Sequence, residues 1–410
     1  MRSSHLFLFG FVGFLTAHAQ IASETLPPPY ATPSVYLQPK VIAKPDGATL
    51  HLPPGFYIEE FAAGFRRPRF MSVGPGGEIL VTDSMPSAQG GSVYVFAGSQ
   101  RKRLLDHLDR PYGLAFWNKY LYVTEAESIK RYKYDPGSHS VGAGQEIISL
   151  AGLGGPHAHW TRTLLFDREG AKLYVSIGSG SNDTIGEDAR RATISRVNPD
   201  GSGFETFASG LRNPVGLRWY PGTAALWTSV QERDTLGDDL VPDFLTHVEA
   251  HGFYGWPYAY IGAHPDPYNS GMNLAEHLFR HPQALAQAAG VSSLIKSTLT
   301  PDVLLGGHVA VLDFTFYQGH QFPAEYRGGA FLAYHGSVNR SKRVGYSVAF
   351  IPFRDGKPSG PPREFLTGWM LSPDHTEVWG RPVGLLELPD GSLLISDDGA
   401  NKIWHVSYRP

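Results

Sequence analysis

The chain has no cysteine in 410 residues. That excludes disulfides, thiolate-held metals and haem attached through paired cysteines, so any metal must be held by oxygen or imidazole nitrogen. Neither sign of charge predominates: 35 Lys and Arg stand against 38 Asp and Glu. There is thus no basic field of the kind that draws a domain to nucleic acid. Also missing are a GxSxG nucleophile elbow, a GxxxxGK phosphate loop and a dinucleotide glycine fingerprint, which argues against nucleotide and nicotinamide chemistry. No apolar run beyond the N-terminus approaches the roughly 20 residues that a spanning helix needs.

The N-terminus itself has the features of an export leader. Arg2 supplies the positive end, Leu6–Leu15 the apolar stretch and Ala17-His18-Ala19 a small-x-small cleavage site. We expect residues 1–19 to be removed after Ala19 and the protein to be periplasmic or secreted. Residues 20–50 are Pro-rich and aperiodic, and read as a tether or loosely packed arm. Residues 51–410 form the folded domain.

What that domain is rich in are 47 Gly, 32 Pro and 51 aromatic residues (20 Tyr, 23 Phe, 8 Trp), the make-up of many short strands joined by tight turns. A frame recurs: a cationic residue and often a proline, an apolar strand, a turn, then a second strand ending in a hydroxyl or an acid. Its copies begin at Arg67-Pro68, Arg110-Pro111, Thr161-Arg162, Arg212-Asn213-Pro214, His308 (the most divergent) and Arg381-Pro382. Most are trailed by a further alternating strand, and the first two start about 43 residues apart, within the propeller-blade range of roughly 40–50. The spacing predicts an all-β, six-bladed β-propeller of four-stranded blades around a channel. A β-sandwich would not repeat in this way. The stretch 243–305 could hide a further blade, but AEHLFRHPQALAQAAGVSSLIK (275–296) has helical spacing, so we read a loop and helix insertion between blades four and five.

In a propeller the recurrent cations all face one end of the channel. His159, Arg212 and Arg381 would converge there from blades three, four and six, which suits an anionic ligand. Arg67 and Arg110 fit either that role or the bracing of turns. The loop SVQERDTLGDDLVPDF (229–244) gathers Glu232, Asp234, Asp238, Asp239 and Asp243 around Gly237. Hard oxygen donors on a glycine-bearing loop suit calcium, though the spacing is not that of an EF-hand. The loop YHGSVNRSK (334–342) brings His335, Asn339, Arg340 and Lys342 to the same end.

In order and spacing, HWTRTLLF (159–166), LRNPVGLRW (211–219), VQERDTLGDDLVPDFL (230–245), HGFYGWPY (251–258), YRGGAFLAYHGSVNRS (326–341) and VWGRPVGLLELPDGSLLISDD (378–398) resemble the glucose/sorbosone dehydrogenase family. The sorbosone branch is the nearer likeness. The resemblance covers about residues 52–408. It implies a soluble, exported quinoprotein that uses PQQ and calcium. It would oxidise a sugar or a sugar-derived aldehyde and pass electrons to an external acceptor. By the same resemblance His159 is the catalytic base, Arg212 bonds the reactive quinone carbonyl with Asn213 beside it, Arg381 pairs with a PQQ carboxylate, and Asn339 or Arg340 adds a contact from blade five. The calcium loop falls on Glu232–Asp239, with Glu232, Asp238 and Asp239 as its side-chain ligands. Two positions depart from the family. Ala158 stands where glucose-oxidising members have an acid, which bears on substrate preference. Val338 stands where sorbosone-type sequences have tryptophan, which bears on stacking against the cofactor. Two alternatives differ in class: a calcium-dependent lactonase-like propeller hydrolase, and a non-catalytic propeller that binds carbohydrate or protein. The arginines around the channel argue against the first, and His159, Arg212 and Arg381 together against the second.

Overall fold

The computed structural model describes residues 26–155, 158–269 and 290–410. The export leader expected over 1–19, His157 and most of the helical stretch expected over 275–296 lie outside these residues.

Six four-stranded antiparallel sheets form the six blades of a β-propeller. The inner strands are Pro68–Val73, Leu114–Trp117, Leu164–Phe166, Asn213–Trp219, Val311–Phe316 and Pro382–Glu387. Blades one, two, three and five are built in chain order. Blade six takes its outermost strand, Phe56–Ala62, from the N-terminal side and pairs it with Lys402–Tyr408, so the ring is closed by strands from its two ends. The expected insertion leaves blade four before that blade's outermost strand. It runs between Pro242–His247 and Val303–Gly307, and residues 290–296 of it are helical. No helix among the described residues is long and apolar enough to cross a membrane.

The recurrent frame has a physical explanation. Four inner strands shift register near their start: between Pro68 and Met71, Pro214 and Leu217, Val311 and Asp313, and Pro382 and Leu385. A bulge frees a backbone N–H and re-aims the side chains beside it. In blades one, four and six a hydroxyl on the second strand satisfies that N–H: Thr82 accepts from Phe70 (3.0 Å), Ser229 from Gly216 (3.1 Å) and Ser396 from Gly384 (2.8 Å). In blades two and three the inner strand is regular, and Thr124 and Ser176 accept from the N–H just ahead of it, Gly113 (2.8 Å) and Thr163 (3.1 Å). Several of these hydroxyls also donate to the next blade, Thr124 to the Arg162 carbonyl (2.8 Å) and Ser396 to the Arg69 carbonyl (2.5 Å). The acids that end the second strands cap the incoming turns: Asp83 accepts from Arg67 N, and Asp397 from Arg381 N.

The channel is not open throughout. Tyr112, Val215, Leu312 and Val383, from four different blades, belong to one buried apolar cluster. The Tyr112 hydroxyl donates across the axis to the Leu312 carbonyl at 3.4 Å. The polar cavity at the mouth therefore has an apolar floor.

The Pro-rich segment is fastened across that mouth rather than hanging free. Tyr30 N donates to the Leu236 carbonyl (2.8 Å), Leu37 N to the Val338 carbonyl (2.7 Å) and Lys40 N to the Thr376 carbonyl (2.8 Å). Lys40–Val41 then pairs in parallel with Glu377–Val378.

Candidate active site

The cavity at the mouth has a volume of about 350 Å³, the scale of a small-molecule pocket. His159, Arg212, Asn213, Glu232, Asn339 and Arg381 all line it. Residues far apart in sequence are thus brought together by the ring. Arg340, Asp238 and Asp239 are not in the lining. Arg340 turns outward: its Nη1 donates to the Asp238 carbonyl and ion-pairs with Asp239, both at 2.5 Å. The Asp238 carboxylate accepts from Ser341 N (2.9 Å) and the Ser341 hydroxyl. Opposite charges on adjoining loops have satisfied one another, and Asn339 alone of that pair reaches the cavity.

His159 sits in the loop that enters blade three. Its Nδ1 lies 3.1 Å from the Ser179 carbonyl and 3.0 Å from Ser179 Oγ. The Ser179 hydroxyl already donates to the Ser181 carbonyl (2.6 Å). Both atoms therefore accept from Nδ1–H, and the lone pair of the neutral ring is on Nε2. Burial, and next the charge of Arg212, push the His159 pKa down to about 3. Gly178 makes this approach possible. A Cβ there would collide with Asn213 Oδ1 and lie 2.6 Å from His159 Cβ.

Arg212 is buried and held on three sides. Nε donates to the Asn182 carbonyl (3.1 Å), Nη1 to the Glu232 carbonyl (2.6 Å), and Nη2 to Asn182 Oδ1 (2.9 Å) and Asp234 Oδ2 (3.1 Å). A guanidinium has five N–H bonds, so one on Nη1 is left for a ligand. Asp234 also meets His308 Nδ1 at 3.2 Å, while His308 Nε2 faces the Gly237 carbonyl at 2.9 Å. Burial alone would lower the His308 pKa, but these two acceptors outweigh it and raise it. Burial opposes the charge on Asp234, yet Arg212 and His308 hold its carboxyl well below the usual range.

Sequence reasoning missed Arg69 and Trp160 in the lining. Arg69, not Arg67, is the blade-one cation that faces the cavity, because it lies inside the register shift that re-aims the inner strand. It pairs with Asp398 at 2.5 Å, and Asp398 in turn accepts from His335 Nε2 at 2.8 Å. The only signal was RRPRF itself, with a second cation two residues past the first. Burial and the Arg381 charge push the His335 pKa down to about 3 against the pull of Asp398. Trp160, adjacent to the base, supplies an indole to the cavity, with Arg69 5.6 Å and Arg110 5.9 Å from the ring centre. Arg110 itself bonds Asp109 and the Gly154 carbonyl, which is the bracing role.

Arg381 donates to the His335 carbonyl (3.1 Å) and the Gly336 carbonyl (3.3 Å), and has no ion-pair partner among the described residues. Four buried polar atoms of lining residues lack a partner: Arg69 Nε, Thr161 Oγ1, Asn213 Oδ1 and Glu232 Oε1. Such vacancies are costly unless a ligand fills them. Three guanidiniums, an indole, the Arg69 Nε–H and the Thr161 hydroxyl suit a flat polyanion such as PQQ, whereas the Asn213 and Glu232 oxygens suit a donor or a cation. Among the described residues no three His, Asp or Glu side chains form a metal cage. Of the three acids named as calcium ligands, Glu232 alone faces the cavity, with Asp234 and Asp243 of the same loop beside it. Burial pushes the Glu232 pKa up to about 8, and that of neighbouring Asp243 to about 6.

A family model described as TrAA12-like matches residues 50–409. A protein of Borreliella burgdorferi, described as uncharacterized, is 30% identical over 378 residues, covering 88% of this chain and 92% of its own. Among solved structures, that of Trichoderma reesei Carbohydrate-Active Enzymes Family AA12 superposes with a TM-score of 0.70 at 20% identity, over 90% of this chain and 99% of that one. The PQQ domain of pyranose dehydrogenase from Coprinopsis cinerea gives 0.68 at 18%, over 91% and 100%. The soluble aldose sugar dehydrogenase of Escherichia coli gives 0.58 at 15%, over 86% and 100%. At these identities the structures establish a shared fold.

Proposed function

This chain belongs to the TrAA12-like family, and on that footing we propose that it is a PQQ-dependent dehydrogenase. It oxidises a sugar or a sugar-derived aldehyde or hemiacetal, of the sorbosone or aldose type, and passes the electrons to an external acceptor. The observation that carries the reading is the meeting, in one cavity, of a neutral imidazole with a free Nε2 and guanidiniums from blades one, four and six.

PQQ, when bound, supplies a two-electron acceptor for the hydride that leaves the substrate carbon. His159 Nε2 takes the proton of the substrate hydroxyl, a general-base contribution of about 10²–10⁴-fold. Arg212 directs its remaining Nη1–H at the oxygen on which negative charge gathers. Arg381 would hold a carboxylate of the cofactor, which arginine bonds in bidentate fashion, and Arg69, already paired with Asp398, would add its unpartnered Nε–H. The Trp160 indole offers the flat face that Val338 does not. Calcium would be held on the Glu232 side of the cavity, where the orphaned Oε1 is free to bind it. The expected leader puts this chemistry in the periplasm or outside the cell.

The test is reconstitution of the exported form with PQQ and calcium, followed by dye reduction with aldoses, sorbosone and simple aldehydes. We expect turnover that depends on PQQ and falls about 10²–10⁴-fold in His159→Ala. Turnover without PQQ, or undiminished in His159→Ala, overturns the proposal. Lactone hydrolysis with calcium alone would select the hydrolase instead.

A further inference from the structure

The N-terminal segment does more than cover a rim. Residues 30–41 cross the mouth of the cavity in one direction, tied first to the blade-four loop, then to the blade-five loop and last to the approach to blade six. Thr32 accepts from Asp238 N at 2.7 Å on the blade-four side. In the middle lies a clasp, Arg343. This arginine is buried and makes no ion pair among the described residues. Its guanidinium donates to the carbonyls of Leu37 (3.1 Å), Ser337 (3.2 Å), Gln38 (3.0 Å) and His375 (2.7 Å), and to the Tyr346 hydroxyl (3.0 Å). A buried cation bonded only to neutral oxygens is costly, and two of those oxygens belong to Leu37 and Gln38. The strap is thus positioned most firmly at one point, and there Gln38 enters the lining of the cavity that holds His159. The Gln38 amide nitrogen donates to the Tyr36 hydroxyl, and the Tyr36 side chain is 66% exposed beside it.

We propose that Gln38 is a specificity-determining residue, and that with Tyr36 it forms the strap-side wall against which a pyranose ring is held for oxidation at His159. This rests on the sugar-oxidising reading above. The chemistry is that of a polyol. An amide offers a donor and an acceptor to adjacent hydroxyls, and an exposed phenol ring offers a flat apolar face to the C–H side of the sugar. The strap's described contacts are with blades four, five and six, so the mouth is left open above blades one to three, where Arg69, Trp160 and His159 stand. A substrate entering there meets the base on one side and the strap on the other. A small aldehyde bound at His159 has no hydroxyls to reach Gln38, whereas a pyranose has several.

Two measurements on the reconstituted full chain test this. Gln38→Met keeps the length of the side chain and removes the amide, and Gln38→Glu keeps one acceptor. Steady-state dye reduction is compared for glucose and for propanal, and glucose binding is measured directly by calorimetry. Loss of one or two hydrogen bonds should raise the glucose KM and Kd of Gln38→Met roughly tenfold, with kcat altered less than about twofold. The propanal KM should move less than about twofold. Gln38→Glu should recover part of the glucose affinity. Equal shifts for glucose and propanal, or none for either, overturn the proposal. The calorimetry separates the two readings. Glucose binding that weakens in Gln38→Met without any dye reduction by the parent chain sustains the strap wall and sinks the dehydrogenase. Dye reduction by glucose with parental KM in Gln38→Met does the reverse.

Discussion

Arg212→Lys preserves charge and tests whether the fork, rather than the cation, matters. The guanidinium makes four hydrogen bonds to three residues on two segments, Asn182 and the Glu232–Asp234 loop. An ammonium can reach the Glu232 carbonyl and Asp234 but not Asn182 as well. The two Asn182 oxygens are not orphaned by the change, because Trp256 Nε1 also donates to its carbonyl (2.8 Å) and Asp234 N to its Oδ1 (2.8 Å). The loss is therefore two charge-assisted hydrogen bonds, at about 1.5 kcal/mol each, or about 3 kcal/mol. Unfolding entropy near 2.1 cal/mol/K per residue gives roughly 0.8 kcal/mol/K for a chain of this size, so the expected fall in Tm is about 4 °C. Activity should fall further than stability, by about 10²–10³ in kcat, since the spare Nη1–H is no longer aimed. Scanning calorimetry and dye reduction on the same preparation give both numbers. A Tm within about 1 °C of the parent together with kcat within about tenfold would refute the argument that the planar fork positions the reacting oxygen.

Gly178→Ala should displace both His159 and Asn213, since the added Cβ would lie 2.6 Å from His159 Cβ and collide with the Asn213 amide. We expect a stability loss of about 1–3 kcal/mol by denaturant unfolding, with activity lost more than about tenfold. His335 stays neutral in the folded chain down to about pH 3, whereas the unfolded chain protonates it near 6.5. The unfolded state therefore binds more protons between these values, and stability is lost as pH falls through that window, by about 1.4 kcal/mol per pH unit for this group. Urea unfolding of His335→Gln at pH 6.5 and 5 should show that much less slope, and an unchanged slope refutes the assignment. With its pKa raised to about 8, Glu232 carries a proton at pH 7, so calcium bound there should release about one proton. Calorimetry in buffers of different ionisation enthalpy reads this directly, and Glu232→Gln should release none.

The architecture was legible because the propeller writes its frame into the sequence. The hydroxyl near the end of a second strand looked like punctuation, and in blades one, four and six it is the partner of a backbone N–H set free by the bulge. His159, Arg212, Asn213, Asn339 and Arg381 could be placed at the mouth because each sits at a fixed distance from an inner strand. Arg69 could not, since a bulge re-aims a side chain by one residue and leaves no compositional mark. Arg340 was misplaced relative to the cavity for a different reason, its pairing with the Asp238–Asp239 loop. Charge on a loop is visible in sequence, but the opposite charge on a loop about a hundred residues away, which neutralises it, is not. The strap was hidden by its proline content, which reads as a tether when the carbonyl-binding Arg343 that fastens it lies three hundred residues on.

The balance of charge in the cavity explains why an anion belongs there. Arg69 is matched by Asp398, and Arg212 and His308 share Asp234. Among the described residues Arg381 donates to carbonyls alone and has no carboxylate partner. Glu232, which burial pushes up to about 8, is largely protonated at pH 7 and does not offset it, and Asp243, at about 6, is largely ionised there but its oxygens accept from the Glu232 and Ala310 backbone N–H groups. The charge at Arg381 is therefore a local positive excess, and it is preorganised: carbonyls and carboxylates fix every guanidinium before any ligand arrives, so little reorganisation opposes binding. A neutral lactone or an uncharged quinone would leave that excess unanswered, and a quinone bearing carboxylates would answer it. Because such a ligand binds only the folded ring, its affinity appears directly as stability, about 2.7 kcal/mol when its concentration is a hundred times Kd. The selectivity for charge over shape follows from Arg381 having been left without a carboxylate.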